Sequence, residues 1–252
     1  MTAVISHNPI NFLKRELADY KKLFRSLPAL VVSFFVVSVI ITNLMAAKFV
    51  VSTPLIAVTG GVLLSWLPFL CMDIVTKHFG AKAAIKLNIF GLFVYLLCVG
   101  MFELVVNLQI DTVNPKPADY SAFNSVFSTQ WWILVSSSTA FVVSGIVNAV
   151  LNSWIGKFFK KNPDGKAAYM SRCYVSTFIG QFVDNFVFVG LLLFGLSGWH
   201  ITAGLSMPVV GAALLGGFLE LLTEVIFSPI GYRIVKRWRE ENVGADYINK
   251  EA

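Results

Sequence analysis

The chain has 252 residues, of which 56% are hydrophobic and only 13% charged, with a formal net charge of +6 and a mean hydropathy of +0.72. A soluble globular domain carries roughly 25% charged residues, so about half of that charge is missing and a soluble fold is excluded. The basic excess is parcelled out between apolar runs rather than gathered into a patch, which argues against a nucleic-acid surface.

In chain order, the first element expected is an amphipathic helix within residues 1–26. In "INFLKRELADYKKLFRS", Ile10, Leu13, Leu17, Tyr20 and Phe24 recur at helical spacing, the pattern of a helix lying on a membrane surface. A membrane span takes about 20 predominantly apolar residues. Six stretches reach that length: Pro28–Val50, Leu55–Met72, Ile85–Leu108, Trp131–Phe159, Ser171–Gly198 and Leu205–Val235. The expected fold is therefore an all-α integral membrane protein with six transmembrane helices over residues 27–238, followed by a polar tail at 239–252. The first span is too long for a signal core and lacks a small-residue cleavage site, so it is expected to be retained.

Within the spans, polar residues mark the places of interest. The first carries Asn43 near mid-depth and Lys48 at its outer end; Lys48 either snorkels to the headgroups or contacts a substrate or carboxylate. The second contains Gly60, Gly61 and Pro68, the last five residues before Asp73. Proline removes a helical hydrogen bond, and broken helices often border transport sites. The third has Glu103 beside Gly100 and Asn107. A long outer connection around "NPKPADYS" follows, a lid, binding loop or plain connector. The fourth span aligns Gly145, Asn148 and Asn152 on one face.

The fifth span, "RCYVSTFIGQFVDNFVF", is the most informative. Arg172, Ser176, Gly180 and Asp184 recur every four residues and so share one stripe, flanked by Thr177, Gln181 and Asn185. Ser176 and Thr177 suit interhelical hydrogen bonds, whereas a carboxylate at a helix centre costs about 2.5–3.5 kcal/mol and normally marks a pathway or site. In the sixth span Glu220 and Glu224 are spaced i, i+4. Two acids at low dielectric tend to retain a proton, a basis for proton coupling; one buried acid paired with a basic residue is the other reading.

Orientation follows from lysine and arginine. They precede the first span (Lys14, Arg15, Lys21, Lys22, Arg25), separate the second from the third (Lys77, Lys82, Lys86) and the fourth from the fifth (Lys157, Lys160, Lys161, Lys166, Arg172), and follow the sixth (Arg233, Lys236, Arg237, Arg239). Basic loops stay cytoplasmic, so both termini are expected inside a plasma membrane. No phosphate-binding G-x-x-x-x-G-K-[ST] loop, H-E-x-x-H zinc motif or G-x-S-x-G elbow occurs. Cys71, Cys98 and Cys173 have no metal-like spacing. Neither an enzyme, a metal nor a cofactor is expected, and a small-solute transporter is.

The segments "NLMAAK", "LPFLCMDIVTKHFGAKAA", "RCYVSTFIGQFVDNFVF" and "EVIFSPIGYRIVKRW" together resemble the queuosine precursor transporter family, also called the vitamin uptake transporter family, over about residues 30–240. The resemblance implies a six-helix fold similar to the substrate-binding subunits of energy-coupling-factor transporters, and import of 7-deazaguanine precursors of queuosine. The site it implies comprises Asn43, Lys48, Asp73, Arg172, Ser176, Gln181, Asp184 and Glu224. The chain departs from the family pattern at Lys77, where an acid usually stands, and at Glu220, where a lysine is usual. Three arrangements are consistent with these residues: a stand-alone carrier for a purine-like base, a binding subunit served by an energy-coupling ATPase module, or a non-transporting scaffold. A homo-oligomer is compatible with each.

Overall fold

The computed structural model describes residues 9–108, 120–158, 166–197 and 207–251. Within them, some side chains lie outside the description, those of Asn148, Asn152, Arg172, Ser176 and Glu224 included.

The elements are α1 (Pro9–Ser26), α2 (Ala29–Ala46), β1 (Phe49–Ser52), β2 (Ala57–Thr59), a 3-10 turn (Gly60–Leu63), α3 (Trp66–Phe79), α4 (Ala81–Asn107), α5 (Ser121–Phe127), α6 (Gln130–Phe158), α7 (Lys166–Ser197), α8 (Met207–Glu240) and α9 (Ala245–Glu251). Among the described residues, five helical stretches are long and apolar enough to cross a membrane. They are Ala29–Ala46, Ala81–Asn107, Ser121–Val147, Phe178–Gly195 and Pro208–Phe227. Their outward faces are apolar: Leu30, Phe34, Val37 and Ile41 on α2 and Ile85, Ile89, Phe93 and Leu96 on α4 are exposed. A helix that is hydrophobic all round belongs in lipid or in a large core.

The second expected span requires correction. The fold is that of a mostly helical membrane protein, but Leu55–Met72 is not one helix. Its first part joins Phe49–Ser52 in a two-stranded antiparallel hairpin pairing Val51 with Val58 and Ser52 with Ala57. The 3-10 turn follows, and α3 then starts at Trp66 with 14 residues. At 1.5 Å per residue α3 reaches about 21 Å, short of the ~30 Å hydrocarbon core. Local chemistry explains the break. Val50, Val51, Val58 and Thr59 are β-branched and suit strands. The Thr53 hydroxyl accepts the backbone N–H groups of Leu55 (3.3 Å) and Ile56 (3.0 Å), closing the turn. Pro68 sits in the first turn of α3, where its missing N–H would have no helical acceptor. It marks a helix start rather than a kink.

At one end of the bundle, Leu23 of α1, Phe35 of α2, Val75 and Phe79 of α3, Leu87 of α4, Trp238 of α8 and Tyr247 of α9 share one buried cluster. Lys86 is paired there with Asp19 and, at 3.3 Å, with Glu16, which ties α1 to α4. Leu13 and Leu17 of α1 remain exposed. At the other end, the hairpin seats on α8 so closely that a Cβ at Gly211 would lie 2.0 Å from the Leu55 carbonyl oxygen. Between α6 and α7, the Trp132 Nε1–H donates to the Leu191 carbonyl at 2.7 Å, and Gly195 makes room for that indole.

Candidate functional site

Helices α2, α3, α4, α6, α7 and α8 surround a central cavity of about 380 Å³. Its polar wall comes chiefly from α7. Gly180, Gln181, Asp184, Asn185, Phe188 and Val189 line it, at the i, i+1, i+4, i+5 spacing of one helical face. The Asp184 carboxylate Oδ1 accepts a hydrogen bond from the Ser144 hydroxyl of α6 at 2.8 Å. Asn185 Nδ2 donates both to the Gln181 carbonyl (3.0 Å) and to Glu220 Oε2 (3.4 Å). Gly216 of α8 is what admits Asn185, since a Cβ there would stand 2.5 Å from its Oδ1.

Glu220 is 8% exposed, and its carboxylate also interacts with the Ser65 hydroxyl just before α3. Next to Ser65, Trp66 stacks on Phe227 with ring centroids 4.1 Å apart and planes 8° apart. Both rings line the cavity. The break between the 3-10 turn and α3 thus places a serine against a buried carboxylate and an indole in the wall of the same cavity. Asn43, from α2, is buried in the wall and donates one amide hydrogen to the Val39 carbonyl at 2.8 Å. Across from α7, Thr42 and Asn88 also line the cavity, and the Thr42 hydroxyl and Asn88 Nδ2 have no hydrogen-bond partner among the described residues.

Of the residues expected from the sequence, Asn43, Asp73, Gln181, Asp184 and Glu220 meet at this cavity. Asp73 is the least committed to it, being bonded to Lys77 of its own helix at 2.8 Å. Lys48 follows the end of α2, exposed and not among the lining residues. The Arg172, Ser176 and Glu224 side chains lie outside the described residues. Arg172 stands 12 residues before Asp184 on α7, about 18 Å along the helix axis.

Sequence reading missed Ser144, Asn185 as the bridge to Glu220, Asn88 and Phe227. A signal existed for the first: Ser137, Phe141, Ser144 and Gly145 line the cavity at i, i+4, i+7 and i+8 of α6. No metal-binding cluster of histidine, cysteine or acidic residues occurs among the described residues.

A membrane-crossing helical bundle with a polar, partly aromatic chamber at its centre is the architecture of a solute carrier. Residues 59–234, more than two-thirds of the chain, match the vitamin uptake transporter family, and the chain belongs to that family. It is a multi-pass membrane transporter, with a small molecule as its substrate and the lipid bilayer as its surroundings. Comparison with curated proteins and with solved structures finds no match.

Proposed function

We propose that this transporter imports queuosine precursors, bases of the 7-deazaguanine type, across the plasma membrane into the cytoplasm as a stand-alone carrier. The observation that carries the reading is the chemistry of the central cavity. Its volume of about 380 Å³ falls in the roughly 300–1,000 Å³ range of small-molecule sites. Its wall combines carboxylates, amides and flat rings. A deazaguanine offers an N–H and an exocyclic NH2 on one edge, which the Asp184 carboxylate can accept in two parallel bonds. The second amide hydrogen of Asn43 and the amide of Gln181 suit the ring carbonyl. Phe188 and Trp66 suit its face, where stacking is worth about 1–3 kcal/mol per base. Glu220 and Glu224 on α8 supply groups able to carry a proton for coupling. Arg172 and Ser176 extend the α7 stripe toward the cytoplasmic side, with both termini on that side and Lys48 and the hairpin outside.

The test is the queuosine content of tRNA, read as boronate-gel mobility. The host makes no precursor and lacks its own importer and any energy-coupling ATPase module. Expression of this chain with precursor supplied at low concentration restores queuosine, and Asp184→Asn abolishes the restoration with the protein still in the membrane. A membrane-inserted wild-type chain that restores nothing defeats the reading.

A further inference from the structure

We infer that the cavity selects a base bearing a protonated amine over the uncharged analogue of the same ring, and that Glu220 is the group that selects it. This inference rests on the reading of the cavity as a purine-base site and narrows it. Among the described residues, three ionisable side chains line the cavity, Asp73, Asp184 and Glu220, and all are acids; no described lysine, arginine or histidine is among the lining residues. Lys77 is bonded to Asp73. Asp184 and Glu220 have no ion-pair partner among the described residues; Asp184 has a hydrogen bond from Ser144, and Glu220 has them from Asn185 and Ser65. A carboxylate taken out of water is costly unless a cation or dense hydrogen bonding compensates it. Two such groups facing one chamber call for an occupant with more hydrogen-bond donors than acceptors, and preferably with a positive charge.

The two acids differ in their surroundings, which divides the work between them. Asp184 accepts from the Ser144 hydroxyl, with Gln181 one turn away on the same wall, and suits the planar edge of a base. Glu220 interacts with Ser65, whose neighbour Trp66 lies stacked on Phe227. Carboxylates and aromatic rings lining one chamber are the means by which ammonium groups are recognised, through ion pairing together with attraction to the rings, and Glu220, Trp66 and Phe227 all line this one. Glu220 therefore takes the amine while Asp184 takes the ring edge. A nitrile in place of the amine would direct its lone pair at the same carboxylate and be disfavoured.

The experiment is titration calorimetry on the purified full chain, using 7-aminomethyl-7-deazaguanine, its N-acetyl derivative and 7-cyano-7-deazaguanine. Losing one partner of a buried charge pair corresponds to roughly 30-fold or more in affinity. The expected result is a preference of about that size for the free amine over both uncharged analogues, collapsing in Glu220→Gln. The acetylated ligand keeps the test valid on wild-type protein alone should the variant fail to fold. Equal affinity for amine and nitrile overturns the inference while leaving the purine-base reading standing. An amine preference that survives in folded Glu220→Gln overturns the assignment to Glu220. Binding of none of the three bases overturns the purine-base reading itself, and this inference with it.

Discussion

Asp184, Ser144, Asn185 and Glu220 come from three helices and are joined by hydrogen bonds of 2.8 Å and 3.4 Å. Their contributions separate by substitution. Ser144→Ala removes one hydrogen bond to a charged group, an effect of about 1.5–3 kcal/mol. Uptake at limiting substrate is expected to fall roughly 10- to 100-fold, less than for Asp184→Asn; an unchanged rate would show that Ser144 does not orient the carboxylate. Gly216→Ala tests Asn185 from behind. Its new methyl would stand 2.5 Å from the Asn185 amide oxygen, whereas at Gly100 nothing lies within 4 Å of a Cβ. Gly216→Ala should impair uptake and Gly100→Ala should not, in proteins inserted equally well as judged by membrane immunoblot. At this scale the α7 stripe was legible in the sequence, because a four-residue recurrence of polar groups in an apolar run survives without knowledge of neighbours. The Asn185–Glu220 bond was not. It depends on how α7 and α8 are rotated about their axes, and that rotation is set by Gly216 and Gly217 packing against Asn185 and Phe182.

Elements differ in how much of them hydropathy can disclose. The runs that became α2, α4, α6, α7 and α8 agree with their expected spans to within a few residues, since about 20 apolar residues in lipid have little choice but to satisfy their backbone as a helix. The second run was equally apolar, and an apolar run does not by itself distinguish strand from helix. Its hairpin was decided by β-branched residues and by Thr53, features visible in the sequence but outweighed by composition. Packing between elements is equally testable. A Cβ at Gly195 would lie 1.6 Å from Trp132 Nε1, so Gly195→Ala must displace the indole from the Leu191 carbonyl. Overpacking of this kind costs about 1–3 kcal/mol, expected as a lower melting temperature in detergent. The Asp19–Lys86 pair gives a second case. Asp19→Leu leaves Lys86, 13% exposed at its side chain, with the more exposed Glu16 as its remaining ion-pair partner among the described residues. Destabilisation of about 1–3 kcal/mol is expected, relieved when Lys86→Met is added; failure of the second substitution to relieve the first would show that the pair contributes little.

For the whole molecule, the basic connections and the core that unites α1, α3, α8 and α9 support one arrangement in the bilayer. In a chain with Cys71, Cys98 and Cys173 replaced by serine or alanine, a single cysteine placed at Lys21 or at Glu240 should react with an impermeant maleimide only after the cytoplasmic face is opened. One placed at Lys48 should react in intact cells. Labelling of Lys21 and Glu240 positions from opposite sides would overturn the arrangement. The α9 helix also bears on the integrity of the chain. Tyr247 is 1% exposed, and the turn before it needs Gly244 at φ 67°, where a Cβ would also strike the Phe79 ring at 2.3 Å. The segment beyond Glu240 is therefore part of the packed body rather than a loose tail, and truncation at residue 240 is expected to destabilise the end of the bundle opposite the hairpin.

The Trp66–Phe227 stack has an optical consequence. Of the tryptophans among the described residues, Trp66 is the one that lines the cavity. A flat heterocycle entering the chamber would meet an indole already in contact with another ring, and would change the light that indole emits. The difference in emission between wild type and Trp66→Phe, followed as solute is added, turns the protein into its own occupancy meter. Solutes could then be ranked in seconds, without a radiolabel and before any substrate has been assigned by transport.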